Sequence, residues 1–92
     1  MGTEILDEVF AVIEDRRDRP KDGSYVSNLL ASGRVLKKID EEARELVEAA
    51  QGSDRQAIVH EAADLIFHTM VLLAVKGVEL EEVMKELRRR RR

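Results

Sequence analysis

The sequence predicts an all-α protein, a single helical bundle domain over residues 1–92 that is built around an antiparallel helix hairpin. Apolar residues recur at helical spacing in successive segments, whereas the alternation typical of strands is nearly absent. Only short breaks separate the segments, and no linker is long enough to divide the chain into domains. A domain of this size buries only about two thirds of its unfolded surface, so we expect a modest core that dimerisation helps to complete.

The first predicted helix ends before Pro20, because proline disfavours a helical conformation in the residue that precedes it. After a turn, Ser24 is suited to cap a short helix that reaches Leu30, and Gly33 is a break before the next helix. The apolar face of the first helix consists of Ile5, Leu6, Val9, Phe10 and Ile13.

A long helix is expected from about Arg34 to Ala50, with Gly52 as its C-terminal stop. Its predicted inward face consists of Leu36, Ile39, Ala43, Leu46, Val47 and Ala50.

The next helix should begin at Ser53, which could form a capping box with Gln56, and should continue to Lys76 before Gly77. From Leu65 to Val75 this helix is apolar nearly all round, which is typical of a helix at the centre of a bundle. A last helix uses the apolar residues Leu80, Val83, Met84 and Leu87, and Met70 and Met84 are expected in the core.

Composition excludes several classes of function. The chain has no cysteine, so neither a disulfide framework nor a cysteine-based zinc site can hold it together. A net charge of −3 with one tyrosine and two phenylalanines is a poor basis for sequence-specific nucleic-acid binding.

The longest apolar run is about half the length that a bilayer requires, so we expect a soluble, cytoplasmic protein with no membrane partner. The run from Arg88 to Arg92 is interpreted as a solvated helix end and is assigned no function.

Two acidic clusters lie on the two helices of the predicted hairpin. The first is Glu41-Glu42-Ala43-Arg44-Glu45, and the second is Glu61-Ala62-Ala63-Asp64. Carboxylates three residues apart project from one face of a helix, about one turn apart, so two of them can reach a shared cation. Because the connection around Gly52 is short, the helices should pack antiparallel, with Glu42, Glu45, Glu61 and Asp64 facing one another.

An all-oxygen ligand set selects hard cations, so the pattern favours Mg²⁺, with Mn²⁺ as a possible substitute. Such an ion would support hydrolysis of a phosphoric anhydride. The alternative is that these acids are solvated helix faces, which we prefer for Glu41. The stripe of Glu61, Asp64 and His68 argues for a site, because partly buried carboxylates are costly unless they are paired or metal-bound. Spacing alone leaves both interpretations open.

The order and spacing Glu-Glu-x-x-Glu, then Glu-x-x-Asp on the next helix, resemble the motif of the MazG-like all-α nucleoside triphosphate pyrophosphatases. Within that superfamily the chain resembles the phosphoribosyl-ATP pyrophosphatase family over nearly its whole length. The similar stretches are the segment that begins Gly23-Ser24-Tyr25, the segment from Lys37 to Ala43, and the segment from Glu61 to His68. Three features depart from the family pattern: Asp40, where the family usually has Gly, Val26, where it usually has Thr, and a stretch between Gly33 and Glu41 that is about two residues short.

The resemblance implies Mg²⁺-dependent hydrolysis of phosphoribosyl-ATP to phosphoribosyl-AMP and pyrophosphate, the second step of histidine biosynthesis, by a homodimer. It implies that Glu42, Glu45, Glu61 and Asp64 are catalytic metal ligands and that Glu41 is an accessory catalytic acid. Substrate contacts are expected from Ser24, Tyr25, Lys37, Lys38 and His68. For the lysines a plain surface role stays open, for Ser24 and Tyr25 a role in ordering the loop, and for His68 that of a hydrogen-bonded residue at the edge of the bundle.

Two other functions remain. A housecleaning pyrophosphatase of canonical or damaged nucleoside triphosphates would use the same ligands with a different base pocket. A non-catalytic helical dimerisation module would use the acids only for solubility, and it leaves the polar stripe on the third long helix without a reason.

Overall fold

The computed structural model describes residues 2–91, and these form five helices and no strand. The all-α prediction is therefore confirmed for this part of the chain. The helices are α1 (Glu4–Asp18), α2 (Tyr25–Ser32), α3 (Val35–Gln51), α4 (Arg55–Val75) and α5 (Leu80–Arg90). Arg92, the last residue of the predicted arginine run, lies outside the described residues.

Helices α3 and α4 form the predicted hairpin, which is the most extensive helix–helix contact among the described residues. Three residues, 52–54, connect the two helices, so they run antiparallel with their acidic turns at similar depth. Helix α1 packs against α4 and α2 against α1, whereas α5 makes fewer contacts with the rest of the chain. The hairpin is therefore the element that positions the acidic residues.

The short helix α2 is capped at both ends as the sequence predicts. The Ser24 hydroxyl accepts a hydrogen bond from the Ser27 backbone N–H at 3.1 Å. At the other end Gly33 has a φ of +71°, a left-handed conformation that glycine adopts without steric cost. These two caps place Tyr25 at the first position of α2, beside α4.

The N-terminal cap of α4 is Asp54, so the prediction of a capping box at Ser53 was wrong by one residue. Asp54 Oδ1 accepts from the backbone N–H groups of Gln56 at 2.9 Å and Ala57 at 3.3 Å. A carboxylate oxygen that reaches two N–H groups also compensates the positive end of the helix dipole, which a serine hydroxyl does not.

The buried core lies between α1, α2 and the second half of α4, where Ile13 and Val71 are almost fully enclosed. Arg17 Nη1 donates a hydrogen bond to the Ala74 carbonyl oxygen at 2.7 Å and so ties the end of α1 to the end of α4. Met70 is buried, and Met84 packs partly buried against the core. The buried apolar residues are Phe10, Ile13, Val26, Leu29, Val35, Met70, Val71, Ala74 and Leu80.

The predicted inward face of α3 was partly wrong. Leu36, Val47 and Ala50 are exposed, whereas Val35 and Glu42 are buried. The apolar stripe of α3 is wider than its contact with α4, and the rotation of the helix turns Glu42 toward the hairpin interface. The spacing of apolar residues does not reveal which edge of a wide stripe is buried.

Helix α4 is only partly enclosed by the described residues, although its sequence predicts a central helix. Ile66 and Val75 are 49% and 44% exposed, and Leu87 of α5 is 54% exposed. By length and composition α4 could also cross a membrane, a property that it shares with the core helices of soluble bundles. A soluble protein remains the prediction, because α4 carries Glu61, Asp64 and His68 in its middle.

Replacing Asp54 by alanine should lower the free energy of unfolding by about 1 kcal/mol, because two N–H groups of α4 lose their acceptor. The measurement is urea denaturation at fixed protein concentration. Ser53→Ala is the matched control and should leave the unfolding midpoint nearly unchanged. An equal loss in the two variants would show that Asp54 is not the cap.

Candidate metal centre

The hairpin brings three of the predicted ligands together. One carboxylate oxygen from each of Glu42, Glu45 and Glu61 lies within 4.8 Å of the others. Glu42 and Glu45 are one turn apart on α3, and Glu61 faces them from α4, as expected for an antiparallel pair. These three residues are called the carboxylate cluster below.

Asp64 lies beside the carboxylate cluster, in a second group with His60 and Glu61 whose ligand atoms are also within 4.8 Å of one another. Its Oδ2 atom is 3.3 Å from Nε2 of His60, one turn earlier on α4. Glu61 belongs to both groups and links them. The sequence interpretation missed His60, although its position four residues before Asp64 is a helical pairing distance.

Two buried oxygen atoms of the carboxylate cluster lack a hydrogen-bond partner. The Oε1 atoms of Glu42 and Glu61 are both buried, and neither has a hydrogen-bond partner among the described residues. Glu42 as a whole is only 4% exposed. Unpaired buried carboxylate oxygens are costly, so these two atoms favour a cation as their partner.

Mutual repulsion of the carboxylates is visible at Glu45. The negative charge of Glu42 raises the pKa of the Glu45 carboxyl, and a hydrogen bond with Glu61 raises it further, while Lys38 partly opposes both. Two acids that share a hydrogen bond cannot both ionise without cost. The arrangement is therefore short of positive charge.

Lys38 supplies part of that charge. Its Nζ atom lies 3.2 Å from Glu42 Oε2 and 3.4 Å from Glu41 Oε1, and the hydrogen bond to Glu42 raises the pKa of the Lys38 ammonium. Arg34 Nη2 lies 3.7 Å from the other oxygen of Glu41. Glu41 is thus held by two cations, outside the carboxylate cluster. One ammonium group does not neutralise the cluster, and its oxygen donors fit a hard divalent ion.

The other predicted substrate-binding residues border this centre. Lys37 is exposed and lines an open groove of about 400 Å³ along the outer face of α3. The Ser24 hydroxyl is occupied by its role as the cap of α2. Tyr25 is half exposed and its Oη atom is 2.8 Å from His68 Nε2, while His68 itself is buried.

Tyr25 also lines a second groove, of about 340 Å³, between α2 and the start of α3. This α2–α3 groove adjoins the carboxylate cluster through Lys38, which lines the groove and contacts Glu42. Arg34 was not among the predicted site residues, since a single arginine before a helix carries no distinctive pattern. The lining residues are Tyr25, Asn28, Leu29, Ser32, Arg34 and Lys38.

Replacing Glu45 by glutamine should raise the thermal unfolding midpoint in a buffer that contains EDTA, because glutamine removes a charge that Glu42 and Glu61 repel. Glu8→Gln, on the exposed side of α1, is the control and should leave the midpoint unchanged. Differential scanning calorimetry measures both midpoints. A lower midpoint for Glu45→Gln would contradict the repulsion.

Comparisons with known proteins identify the family of this chain. The sequence profile described as phosphoribosyl-ATP pyrophosphohydrolase matches residues 6–91. The phosphoribosyl-ATP pyrophosphatase of Methanocella arvoryzae is 47% identical over 97% of this chain and 98% of its own length. That of Geobacter metallireducens is 47% identical over 95% of this chain and 82% of its own length. A histidine biosynthesis bifunctional protein of Nostoc sp. is also 47% identical over 95% of this chain, which spans 41% of that protein. The chain belongs to the phosphoribosyl-ATP pyrophosphohydrolase family.

Proposed function

We propose that this protein hydrolyses phosphoribosyl-ATP to phosphoribosyl-AMP and pyrophosphate in the cytoplasm, with Mg²⁺ as its cofactor and Mn²⁺ as a substitute. The reaction is the second step of histidine biosynthesis. One observation carries the chemistry: in a chain of this family, Glu42 and Glu61 belong to a cluster of three carboxylates, and each has a buried oxygen without a hydrogen-bond partner. The family relationship supports the choice of substrate.

Glu42, Glu45 and Glu61 are the residues that would hold the metal, and Asp64 would join them by exchanging its contact with His60. A bound Mg²⁺ would polarise phosphate oxygens, lower the pKa of an attacking water and offset the charge on the departing pyrophosphate. Metal ligation would also relieve the repulsion that raises the pKa of Glu45.

The neighbouring side chains have distinct roles in this proposal. Lys38, which forms ion pairs with Glu41 and Glu42, presents its ammonium to the substrate phosphates as a point charge. Lys37, one position earlier, is exposed and contacts phosphate from the outer side of α3. Glu41, fixed by Lys38 and Arg34, is placed to orient water at the edge of the centre. Ser24 acts indirectly, through helix α2, which it caps.

Replacing Glu61 by glutamine should lower kcat by a factor of at least about 100, because Glu61 is common to both ligand groups. The assay measures Mg²⁺-dependent pyrophosphate release from phosphoribosyl-ATP and from a panel of nucleoside triphosphates. Glu8→Gln is the matched control and should retain wild-type turnover. The shift in unfolding midpoint on adding Mn²⁺ is a second readout, and it should be lost in Glu61→Gln.

The outcomes of this assay separate the competing functions. Selective turnover of phosphoribosyl-ATP supports the proposal. Faster turnover of ordinary triphosphates would move the protein to the housecleaning enzymes, and no metal-dependent turnover of any substrate would favour the non-catalytic module.

A homodimer is also part of the proposal, and an apolar groove supports it. The groove encloses about 370 Å³ between α1, α4 and α5, and its walls are almost entirely aliphatic. Ile66 and Leu87 line the groove and remain about half exposed. Exposed apolar surface of this kind is typical of protein–protein interfaces, and a second copy of the chain is the occupant that would complete the bundle.

Replacing Ile66 by glutamate should convert the dimer to a monomer, because a carboxylate would be buried against the aliphatic partner surface. Size-exclusion chromatography with light scattering measures the mass. Val47→Glu, an equally exposed aliphatic position on α3, is the matched control and should remain dimeric. Dissociation of Val47→Glu with an intact Ile66→Glu dimer would place the interface on the outer face of the hairpin instead.

A further inference from the structure

The hydrogen bonds of His68 determine the chemical character of Tyr25. His68 Nδ1 lies 2.7 Å from the backbone carbonyl oxygen of Asp64. A carbonyl oxygen only accepts, so Nδ1 must carry the proton. In this Nδ1–H tautomer Nε2 is an acceptor, and it lies 2.8 Å from Tyr25 Oη. The Tyr25 hydroxyl therefore donates to His68.

Because the Tyr25 hydroxyl donates its one proton to His68, it can act toward a ligand only as a hydrogen-bond acceptor. Its phenolic oxygen keeps its lone pairs, and these belong to a side chain that is half exposed and lines the α2–α3 groove. Phosphate oxygens near neutral pH are themselves acceptors, so Tyr25 is poorly suited to bind phosphate directly. The group that it selects must carry a donor, such as a sugar hydroxyl.

The ring contacts keep this oxygen in place. Tyr25 meets Phe67 at a ring-centre distance of 6.2 Å and packs edge-on against His68 at 5.7 Å. His68 is 5% exposed and packs edge-on against Phe67, so the imidazole itself is shielded from a ligand. The two residues therefore differ in role, with Tyr25 at the groove and His68 behind it.

The α2–α3 groove lies next to the carboxylate cluster, at the position that suits the sugar of a nucleotide. It opens beside the carboxylate cluster through Lys38, which lines the groove together with Tyr25 and contacts Glu42. Ser32 is used internally, donating to the Leu29 carbonyl oxygen and accepting from the Arg34 N–H. The Asn28 side chain completes the polar lining. In a nucleoside triphosphate the ribose follows the α-phosphate directly, so a groove next to the phosphate-binding centre is where that ribose lies.

We propose that His68 is a positioning residue that makes Tyr25 a hydrogen-bond acceptor for a ribose hydroxyl in the α2–α3 groove. This inference rests on the proposed pyrophosphohydrolase function for the placement of the phosphates. The Tyr25–His68 arrangement itself stands on the geometry alone. The recognition would select substrates by their sugar, while the carboxylate cluster and Lys38 act on the phosphate chain.

The first experiment measures the tautomer of His68 by long-range ¹H–¹⁵N NMR at pH 7.5. The expected spectrum shows a protonated Nδ1 and an unprotonated Nε2. The chain has two histidines, and His60→Gln assigns the signals. A protonated Nε2, in either the other tautomer or the imidazolium, would overturn the proposal whatever substrate the enzyme uses.

The second experiment measures binding by calorimetry with Mg²⁺ and α,β-methylene-ATP, and with its 2′-deoxy and 3′-deoxy forms. The methylene bridge prevents cleavage of the scissile anhydride, so the test does not depend on turnover. Wild type should bind the ribose form about 3- to 10-fold more tightly than one of the deoxy forms, the value of one hydrogen bond. Tyr25→Phe should abolish that preference and leave binding of the deoxy form nearly unchanged.

Variants of His68 test whether it acts through Tyr25. His68→Phe should lose the same preference, His68→Gln should recover part of it because its amide oxygen can accept from Tyr25, and Tyr25→Phe/His68→Phe should be no worse than either single variant. Thr69→Val, which removes a comparable hydrogen bond from the next residue of α4, is the control and should keep the wild-type preference.

Two binding results, in addition to a protonated Nε2 of His68, would overturn the inference. One is a wild type that binds the ribose and both deoxy forms equally, and the other is a Tyr25→Phe variant that weakens all three ligands alike, as loss of a phosphate contact would. Failure of the proposed function is a separate result, namely absence of phosphoribosyl-ATP turnover by wild type. It leaves the sugar preference to be decided by the binding data.

Discussion

The burial of carboxylates across the α3–α4 hairpin is the constraint on which the rest of the structure depends. Glu42 and Glu61 each have one carboxylate oxygen that is buried away from water, and the charge of Glu42 raises the pKa of the nearby Glu45 carboxyl. Such an arrangement persists only if packing elsewhere holds the hairpin closed. That packing comes from α1 and α2 against the second half of α4, and the Arg17 hydrogen bond to the Ala74 carbonyl secures it.

The same constraint accounts for the distribution of positive charge around the centre. Lys38 reaches Glu42 and Glu41 together, and Arg34 holds the outer oxygen of Glu41, so the cations lie on the α2 side of the carboxylate cluster. The proposed metal ligands and the cations proposed to bind phosphate thus lie along one edge of α3. The α2–α3 groove begins at that edge, and Tyr25 enters it from the capped start of α2. The proposed phosphate-binding and sugar-binding groups are therefore adjacent, because the short helix α2 lies beside the start of α3.

Helix α4 combines a polar stripe with an otherwise apolar surface. Its polar stripe carries Glu61, Asp64 and His68 at the candidate site, while the remaining surface is apolar and only partly covered by the described residues. An exposed aliphatic surface on a long helix is costly in water unless another surface covers it. A dimer would remove this cost by burying the groove that α4 forms with α1 and α5. The core of a chain of 92 residues is modest, so it would also gain buried apolar surface from a second copy.

The sequence by itself determined the helices, the hairpin and the pairing of the acidic turns, because these follow from local periodicity, caps and a three-residue connection. It predicted that Glu42, Glu45, Glu61 and Asp64 would face one another, since i, i+3 spacing on two antiparallel helices leaves little freedom, and the first three do meet while Asp64 lies beside them. Local spacing also contains the Asp64–His60 pair and the Asp54 cap, which the sequence interpretation missed, whereas only the tertiary structure decided that Glu42 rather than Leu36 is buried. The tertiary structure also decided that His68 lies behind Tyr25. Those outcomes depend on the rotation of each helix about its axis, which is set by packing between segments distant in sequence and leaves no local pattern.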